Sequence, residues 1–323
     1  MPSLKEIKNR IASVNSTRKI TSAMKMVASS KLHHAQVQIE KMLPYESMLE
    51  HILKTFLASD ADANSVYEKP REVKNVALVV FASNSSLCGG FNSNVIKLMQ
   101  QAIAEYQHLG KEHIIIYPVG RKVAEKVVKL GFKPAGDFTA LADKPNSTDC
   151  INIATELGAK FRSGEFDKVE LIYHHFKSAG SQILTRKTFL PIDIESQLDE
   201  DHERDLTSNV ITKKAQDYLK KHHKEQEDEG ERENVKPLND NFIVEPDMDT
   251  VLGVLIPKLA HLMLYTALLD SNASEHAARM VAMQTATDNA DELLRELNLQ
   301  YNKSRQQAIT SELLDIVGGT VNN

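Results

Sequence analysis

The chain has 323 residues, a formal net charge of −5 at pH 7, 41% hydrophobic side chains and no tryptophan. This composition is typical of globular proteins, and because no run of 18 uninterrupted apolar residues occurs, we expect no membrane-spanning helix. Two cysteines, Cys88 and Cys150, are too few for a disulfide framework, and without a CxxC pair they form no common zinc or redox motif.

The first predicted element is one long helix over residues 3 to about 58. Its apolar residues recur in alternating steps of three and four, the heptad-like spacing of a coiled coil; they include Leu4, Ile7, Ile11, Val14, Ala28, Leu32, Ala35 and Ile39. Between Arg18 and Lys25 this seam falters. There the apolar residues shift, as at a stutter, to Ile20, Met24 and Val27.

Local signals mark the ends and a bend of the long helices. Ser3 and Glu6 have the spacing of a capping box. Pro44 is expected to bend the first helix rather than end it. The pair Gly318–Gly319 is expected to end the last helix.

The middle of the chain, residues 74–194, alternates between strand-like and helix-like stretches. The predicted strands are 76–82, 114–119, 169–176 and 182–190, and the predicted helices are 93–109, 121–131 and 149–163. Alternation of this kind favours a mainly parallel sheet in a small doubly wound domain. Cys88 and Cys150 are interpreted as small buried hydrophobic side chains within it.

A polar turn, SSLCGGFN at residues 85–92, lies between the first strand and the next helix. Such turns bind phosphate in many α/β proteins. This one lacks the GxGxxG spacing, however, and the chain has no GxxxxGK[ST] motif. We therefore expect a tight turn in which Gly89 and Gly90 allow positive φ, with no catalytic or cofactor site.

Residues 195–240 are a charged insertion with 14 acidic and 8 basic side chains, a net charge of −6 that leaves +1 for the rest of the chain. A solvated excursion is the simpler interpretation, and a contact with another subunit or a latch is the alternative. The adjacent histidine pairs are poor metal candidates, since neighbours on a strand point to opposite faces; these pairs are His33–His34, His174–His175 and His222–His223.

A second long helix is predicted over residues 248–317, which at 1.5 Å per residue is about 100 Å. Its seam includes Leu259, Leu262, Leu269, Ala273, Met283, Ala290, Leu294, Leu297, Tyr301 and Ala308. The economical arrangement packs the two end helices antiparallel, with the α/β domain inserted between them. Because the second helix is longer, its tip extends past the first and should be covered by another protein.

The first 31 residues carry seven cationic side chains and one acidic one, Glu6. Nucleic acid is one class of partner for such a helix, but aromatic residues and a basic-zipper pattern are absent, so no nucleic acid is expected. An acidic protein partner is favoured, and a solvated face is the alternative.

Both ends of the chain resemble the F-type ATP synthase gamma subunit family. The resemblance rests on residues 7–32 and 273–319, together with LCGGFNSN at 87–94 and VEPD at 244–247. It implies an α/β fold: a long antiparallel coiled coil of N- and C-terminal helices with an inserted Rossmann-like domain. Its parts would be a helix at 1–60, the α/β domain at 74–194, the insertion at 195–240 and a helix at 245–319.

The resemblance also implies a function, which is that of the central-stalk rotor of the F1 sector. Such a chain couples proton flow through the c-ring to ATP synthesis or hydrolysis, with no catalytic site, cofactor or metal of its own. The implied contacts with the alpha and beta subunits are Met24, Lys25, Arg305, Gln306, Thr310 and Glu312. Glu245 would face the c-ring and the epsilon subunit.

Two departures from the family pattern bear on these expectations. The residues before the LCG turn are SNSS (83–86), so a charged role there is not carried over. The insertion has no cysteine, so the thiol switch of plastid relatives is not supported. Because no apolar signal core or Arg- and Ser-rich leader begins the chain, we expect a peripheral protein on the cytoplasmic face of a bacterial plasma membrane.

Two other classes of protein are alternatives. A coiled-coil scaffold explains the seams and predicts a dimer with parallel helices, but it does not explain the terminal motifs. A Rossmann-type enzyme explains only the middle segment and lacks the dinucleotide fingerprint. Nucleotide binding by the isolated chain would distinguish the enzyme from the other two.

Overall fold

The structure is a computed structural model that describes residues 3–59, 71–192, 245 and 248–321. The charged insertion predicted at 195–240 and the pair His222–His223 lie outside these residues. In chain order the elements are α1 (Leu4–Ser59), β1 (Val76–Phe81), α2 (Phe91–Glu105), β2 (Ile114–Val119), α3 (Arg121–Lys129), α4 (Thr139–Asp143), α5 (Ser147–Arg162), β3 (Lys168–Ser178), β4 (Ser181–Leu190) and α6 (Met248–Val321).

The four strands form one sheet in the order β2-β1-β3-β4. Strand β1 pairs in parallel with β2 and β3, and β3 pairs antiparallel with β4. The predicted mainly parallel sheet is therefore confirmed. Two of its three pairings need a helical crossover, while β3 and β4 are joined by a short hairpin turn.

Side chains of the central strand β1 enter two separate hydrophobic clusters. Ala77, Val79 and Phe81 point to one face of the sheet, and the residues between them point to the other. Helices α2 and α3 cover that second face with Val95, Met99, Val123 and Val127. Because both faces of β1 are buried, the strand is a continuous apolar run and not an alternating one.

The first face of the sheet packs against α5 and the beginning of α6. Leu157 and Phe161 of α5 share a cluster with α6 side chains that include Leu252, Ile256, Leu259 and Leu268. Between Thr250 and Leu314, α6 contains an 18-residue window with mean hydropathy 1.7, which by length and composition alone could cross a membrane. Core helices of soluble proteins have the same property, and these α6 side chains pack within the domain.

The chain divides into two compact units, one formed by residues 1–28 with 279–323 and the other by residues 29–278. The first contains the beginning of α1 and the end of α6. The second contains the sheet, its covering helices and the remaining parts of α1 and α6. Both end helices therefore contribute to each unit.

The predicted capping box is confirmed, and α1 does not end at Pro44. The amide of Ser3 donates to Glu6 Oε2 at 2.8 Å and the amide of Glu6 donates to Ser3 Oγ at 3.3 Å, which is a capping box. Helix α1 continues through Pro44. The predicted stop at Gly318–Gly319 is wrong, since α6 continues to Val321. Glycine lowers helix propensity by about 1 kcal/mol, which does not by itself end a helix.

The turn at residues 85–92 is tight, but its backbone differs from the prediction. Gly89 has a positive φ of 58°, as expected, whereas Gly90 has φ −82° and is the N-cap of α2. The other left-handed residue is Leu87, with φ 66°. The turn is held from within, because Ser83 N donates to Asn92 Oδ1 at 3.0 Å and Asn92 Nδ2 donates to Cys88 Sγ at 3.1 Å.

Candidate functional site

Two polar pairs fix the alignment of α1 and α6 in the first unit. The hydroxyls of Thr21 and Thr287 lie 2.8 Å apart, and Arg18 Nη1 donates to Asp291 Oδ1 at 2.9 Å. From Thr21 to Arg18 the contact moves three residues toward the beginning of α1, and from Thr287 to Asp291 it moves four residues toward the end of α6. The helices run antiparallel, as predicted.

The seam of this coiled coil does not stutter as predicted. It keeps its three-and-four spacing from Val14 to Ala28 by passing through Arg18, Thr21 and Lys25. Ile20 and Val27, assigned to the seam from sequence, are 59% and 58% exposed. Met24 is half-buried. Polar side chains occupy these positions because α6 presents polar partners, Thr287 and Asp291, opposite them.

Helix α6 extends beyond the beginning of α1. Continuing the observed pairing along both helices brings Leu4, where α1 begins, level with Ser304. The backbone of α6 therefore continues past the described beginning of α1 over residues 305–321, a length of about 25 Å. We call this segment the α6 extension. It contains four of the six residues expected to contact the catalytic ring.

Those four side chains, Arg305, Gln306, Thr310 and Glu312, are all exposed. The Thr310 hydroxyl donates to the carbonyl of Gln306 at 2.9 Å, one helical turn earlier. No motif in the sequence marks the apolar residues beside them. Leu313 and Leu314 are 57% and 66% exposed, and Ile309 is 48% exposed. A helix without a partner that exposes apolar and polar side chains together is typical of a binding segment.

The other two residues expected at the catalytic ring, Met24 and Lys25, are half-buried on α1. They lie level with about residue 283 of α6, so roughly 30 Å of helix separates them from Arg305. The structure therefore forms two surfaces along the coiled coil instead of one cluster. Glu245 is exposed and belongs to the second unit.

Exposed cations cover the beginning of α1. The exposed ones are Lys5, Lys8, Arg10, Lys19 and Lys31. Arg18 is half-buried and paired with Asp291. Most of the positive charge counted from the sequence is thus at the surface, where it can attract an acidic partner.

The cysteines of the second unit are buried, as predicted. Burial raises the pKa of the Cys150 thiol to about 12, and the nearby charge of Asp149 contributes to the shift. Such a thiol is protonated at neutral pH and is a poor nucleophile. Cys88 accepts a hydrogen bond within the 85–92 turn.

The histidine pair of β3 has its side chains on opposite faces, as expected for a strand. His174 stacks on Phe91 of α2, with ring centroids 4.5 Å apart, and burial lowers its pKa to about 4. His175 Nδ1 lies 2.6 Å from Asp270 Oδ2 of α6. Among the described residues, no group of three or more histidine, cysteine or carboxylate side chains could hold a metal ion.

The charged side chains buried on the sheet form hydrogen bonds and ion pairs with one another. Glu170 accepts hydrogen bonds from Arg186 Nε at 2.8 Å and Tyr106 at 2.7 Å, and Lys168 Nζ lies 2.8 Å from it. Burial alone would raise the pKa of Glu170, but these hydrogen bonds outweigh burial and lower it. Glu170 is thus held in its charged form by Arg186, Lys168 and Tyr106.

Comparison with known proteins agrees with this description. The family model described as ATP synthase matches residues 3–321. The ATP synthase gamma chain of Phocaeicola vulgatus is 53% identical over 321 residues, which cover 99% of this chain and 100% of the relative. The gamma chain of Flavobacterium johnsoniae is 41% identical over 320 residues, covering 99% and 98%.

Solved structures with a similar fold are ATP synthase assemblies. A chain of the Euglena gracilis mitochondrial ATP synthase, in its OSCP/F1/c-ring structure, superposes with a TM-score of 0.60 at 19% identity, covering 99% of this chain and 94% of that chain. A chain from the central stalk and c-ring of the Tetrahymena thermophila mitochondrial enzyme gives 0.53 at 22% identity, covering 83% and 99%. From the family match along nearly its whole length, the chain belongs to the ATP synthase gamma chain family.

Proposed function

We propose that the coiled coil of this chain turns inside a ring of alternating alpha and beta subunits and transmits rotation to their nucleotide sites. The observation that carries this proposal is the α6 extension, which continues past the described beginning of α1 and exposes Ile309, Leu313 and Leu314. A helix of this kind in water is marginally stable by itself. Enclosure by a surrounding ring would bury its apolar residues.

The coupling we propose is mechanical and needs no catalytic group in this chain. A ligand shifts an equilibrium only by its differential affinity for the competing states. At any instant the coiled coil presents a different side to each catalytic subunit, because only one of its two helices continues into the extension. Each subunit is then biased toward a different state, and rotation exchanges those states in turn.

Two surfaces are assigned to the ring. Arg305, Gln306, Thr310 and Glu312 are proposed to make polar contacts along the extension. Met24 and Lys25 are proposed to face an acidic segment of a beta subunit roughly 30 Å further along the helices. Support comes from the exposure of the first four and from the surface cations that flank Lys25.

The remaining partners are proposed to be the epsilon subunit and the c-ring, with Glu245 near both. The proton-transporting complex would then place this chain on the cytoplasmic face of a bacterial plasma membrane, touching the membrane only through the c-ring. The curated relatives named above are bacterial gamma chains, and the structural neighbours are ATP synthase assemblies that include a c-ring.

Reconstitution with the matching alpha and beta subunits tests the proposal. We expect one copy of the chain per ring and a large gain in cooperative ATP hydrolysis. Changing both Leu313→Ser and Leu314→Ser should weaken binding to the ring by at least about tenfold, since each leucine withdrawn from an apolar contact costs about 1.5–3 kcal/mol. The matched control is Val128→Ser, which alters an exposed apolar residue of α3.

Two results would contradict the proposal. One is a chain that stays outside the ring or enters it without changing ATP turnover. The other is a stable dimer of this chain with parallel helices, as the scaffold alternative predicts. Light scattering and cysteine cross-linking between copies would detect that dimer.

A further inference from the structure

A row of lysines lies along one side of α3, where Lys122 and Lys126 are half-buried and Lys129 is exposed. Lys122, Lys126 and Lys129 follow one another in steps of four and three, so they share one side of the helix, and Lys133 comes just after its end. The neighbouring side of α3, roughly 110° around the helix axis, is fixed, because Val123 and Val127 are buried in the cluster on the second face of the sheet. We call these four residues the lysine face.

The lysine face is strongly positive within a chain whose net charge is negative. Residues 121–133 contain five cationic side chains and one carboxylate, a local net charge of +4, while the whole chain carries −5. That carboxylate, Glu125, lies 3.9 Å from Arg121. Within the described residues, none of the four lysines has an ion-pair partner within 4.0 Å.

Like charges at this spacing on a helix repel one another, at a cost of a few tenths of a kcal/mol per pair. A flexible polyanionic segment would relieve that repulsion. Val128, 60% exposed, is a large apolar side chain of the same helix, but the row itself consists of lysines. Its chemistry thus fits an acidic peptide held by charge.

An acidic segment of suitable length is attached to the same domain. Residues 195–240 carry a net charge of −6. The chain reaches this segment from β4, whose last residue, Leu190, pairs with Val169 at the beginning of β3. Helix α3 ends near the beginning of β2, as the contact of 3.4 Å from Lys111 Nζ to the Leu130 carbonyl shows.

Both points lie at the same end of the sheet. Strands β4 and β2 are its two edges, three strand spacings or about 14 Å apart. The insertion is more than long enough to span this distance, since an extended chain covers about 3.3 Å per residue. A tether of this kind raises the effective concentration of the acidic segment at the lysine face to about the millimolar range.

We propose that the acidic insertion, residues 195–240, docks on the lysine face of α3 in its own chain. An attraction between surface charges of this kind is weak for each pair and depends on ionic strength. Raising the salt concentration from 0.05 to about 1 M shortens the Debye length to about 3 Å and should release the insertion. This inference is independent of the rotary function proposed above.

Zero-length carbodiimide cross-linking of the full chain, read by mass spectrometry, tests the proposal. We expect amide bonds between the lysine face and carboxylates of residues 195–240, reduced at least tenfold at 1 M NaCl. The variant Lys122→Glu/Lys126→Glu/Lys129→Glu leaves Lys133 unchanged. In this variant the yield of cross-links between Lys133 and residues 195–240 should fall by a similar factor. The matched control, Lys41→Glu/Lys97→Glu/Lys144→Glu, changes exposed lysines elsewhere in the same unit and should leave them unchanged.

Mixing ¹⁴N- and ¹⁵N-labelled protein separates cross-links within a chain from those between chains. Cross-links within one chain to the lysine face support the proposal. Cross-links spread evenly over the control lysines, or none to the insertion, would overturn it. Cross-links only between differently labelled chains would identify a second copy as the occupant and would also overturn it.

Discussion

Arg18 of α1 and Asp291 of α6 form an ion pair of 2.9 Å across the seam of the coiled coil, at a position where spacing alone predicts an apolar residue. The hydroxyl pair Thr21–Thr287 lies one turn away. Polar residues within a coiled-coil seam select one register because every shifted register leaves them without partners. These two pairs therefore fix how far α6 extends beyond α1.

Breaking the ion pair should have a small effect on stability and a larger effect on register. Because Arg18 and Asp291 are both partly exposed, Asp291→Ala should lower the free energy of unfolding by no more than about 1 kcal/mol, as measured by urea denaturation. The double variant Arg18→Leu/Asp291→Leu should be at least as stable as the wild type. Disulfide trapping between cysteines placed at shifted positions should then detect alternative registers.

If the double variant forms the same disulfides as the wild type, the Arg18–Asp291 pair does not set the register of the two helices. The control variant is Lys19→Ala, since Lys19 is an exposed neighbour of Arg18. It should change neither the unfolding free energy nor the trapping pattern.

His175 should stabilise the second unit through its contact with Asp270, whose side chain is fully buried. The variant His175→Ala removes a partner from a buried carboxylate, so we expect the free energy of unfolding to fall by about 2 kcal/mol. His113→Ala is the matched control, because His113 is exposed and its Nδ1 forms a hydrogen bond of 2.7 Å with Asn75 Oδ1. If the two substitutions lower the free energy of unfolding equally, burial of Asp270 does not add to the cost of losing its partner.

His174 should make the stability of the protein depend on pH. Burial lowers its pKa from 6.5 to about 4, so between these values the unfolded chain binds a proton that the folded chain does not. Stability should therefore rise with pH across this window and fall on acidification, by up to about 3 kcal/mol. Urea denaturation from pH 4 to 7 measures the slope, which His174→Leu should flatten. An unchanged slope in that variant would refute the assignment.

Gly120 should tolerate no side chain. Its φ is 106°, and a Cβ atom there would lie 2.1 Å from the Ala82 carbonyl oxygen at the carboxyl end of β1. Gly120→Ala forces the backbone of two packed segments apart, so we expect a loss of more than about 3 kcal/mol or failure to accumulate folded protein. Gly180→Ala is the control, because nothing lies within 4 Å of a Cβ atom at that glycine. Thermal melting of both variants provides the comparison.

Much of the fold could be predicted because its signals are local. The four strands were found nearly residue by residue, since a buried strand such as β1 is a short run of β-branched and aromatic side chains. The capping box of Ser3 and Glu6 was found because both partners lie within one helical turn. The short helix α4, five residues long, was missed because it is too brief to establish a period.

The candidate site was located from the sequence only in part. The polar residues of the α6 extension were named from their motif, and the unequal helix lengths predicted that the tip needs a cover. The exposed leucines Leu313 and Leu314 were missed, because periodicity does not tell which apolar residues of a long helix lack a partner. Their exposure follows from where α1 begins on the other helix.

The sequence by itself determined that a long helix with an apolar seam lies on each side of the α/β domain along the chain. Helix and strand periods could be recognised because they depend on neighbouring residues. Tertiary structure decided which face of α1 forms the seam between Val14 and Ala28. The apolar set Ile20–Met24–Val27 is displaced from the three-and-four spacing, whereas the polar set Arg18–Thr21–Lys25 continues it, so hydrophobicity and spacing favour different faces. The choice depends on Thr287 and Asp291, more than 260 residues away in the chain, whose polar groups are satisfied only by the second set.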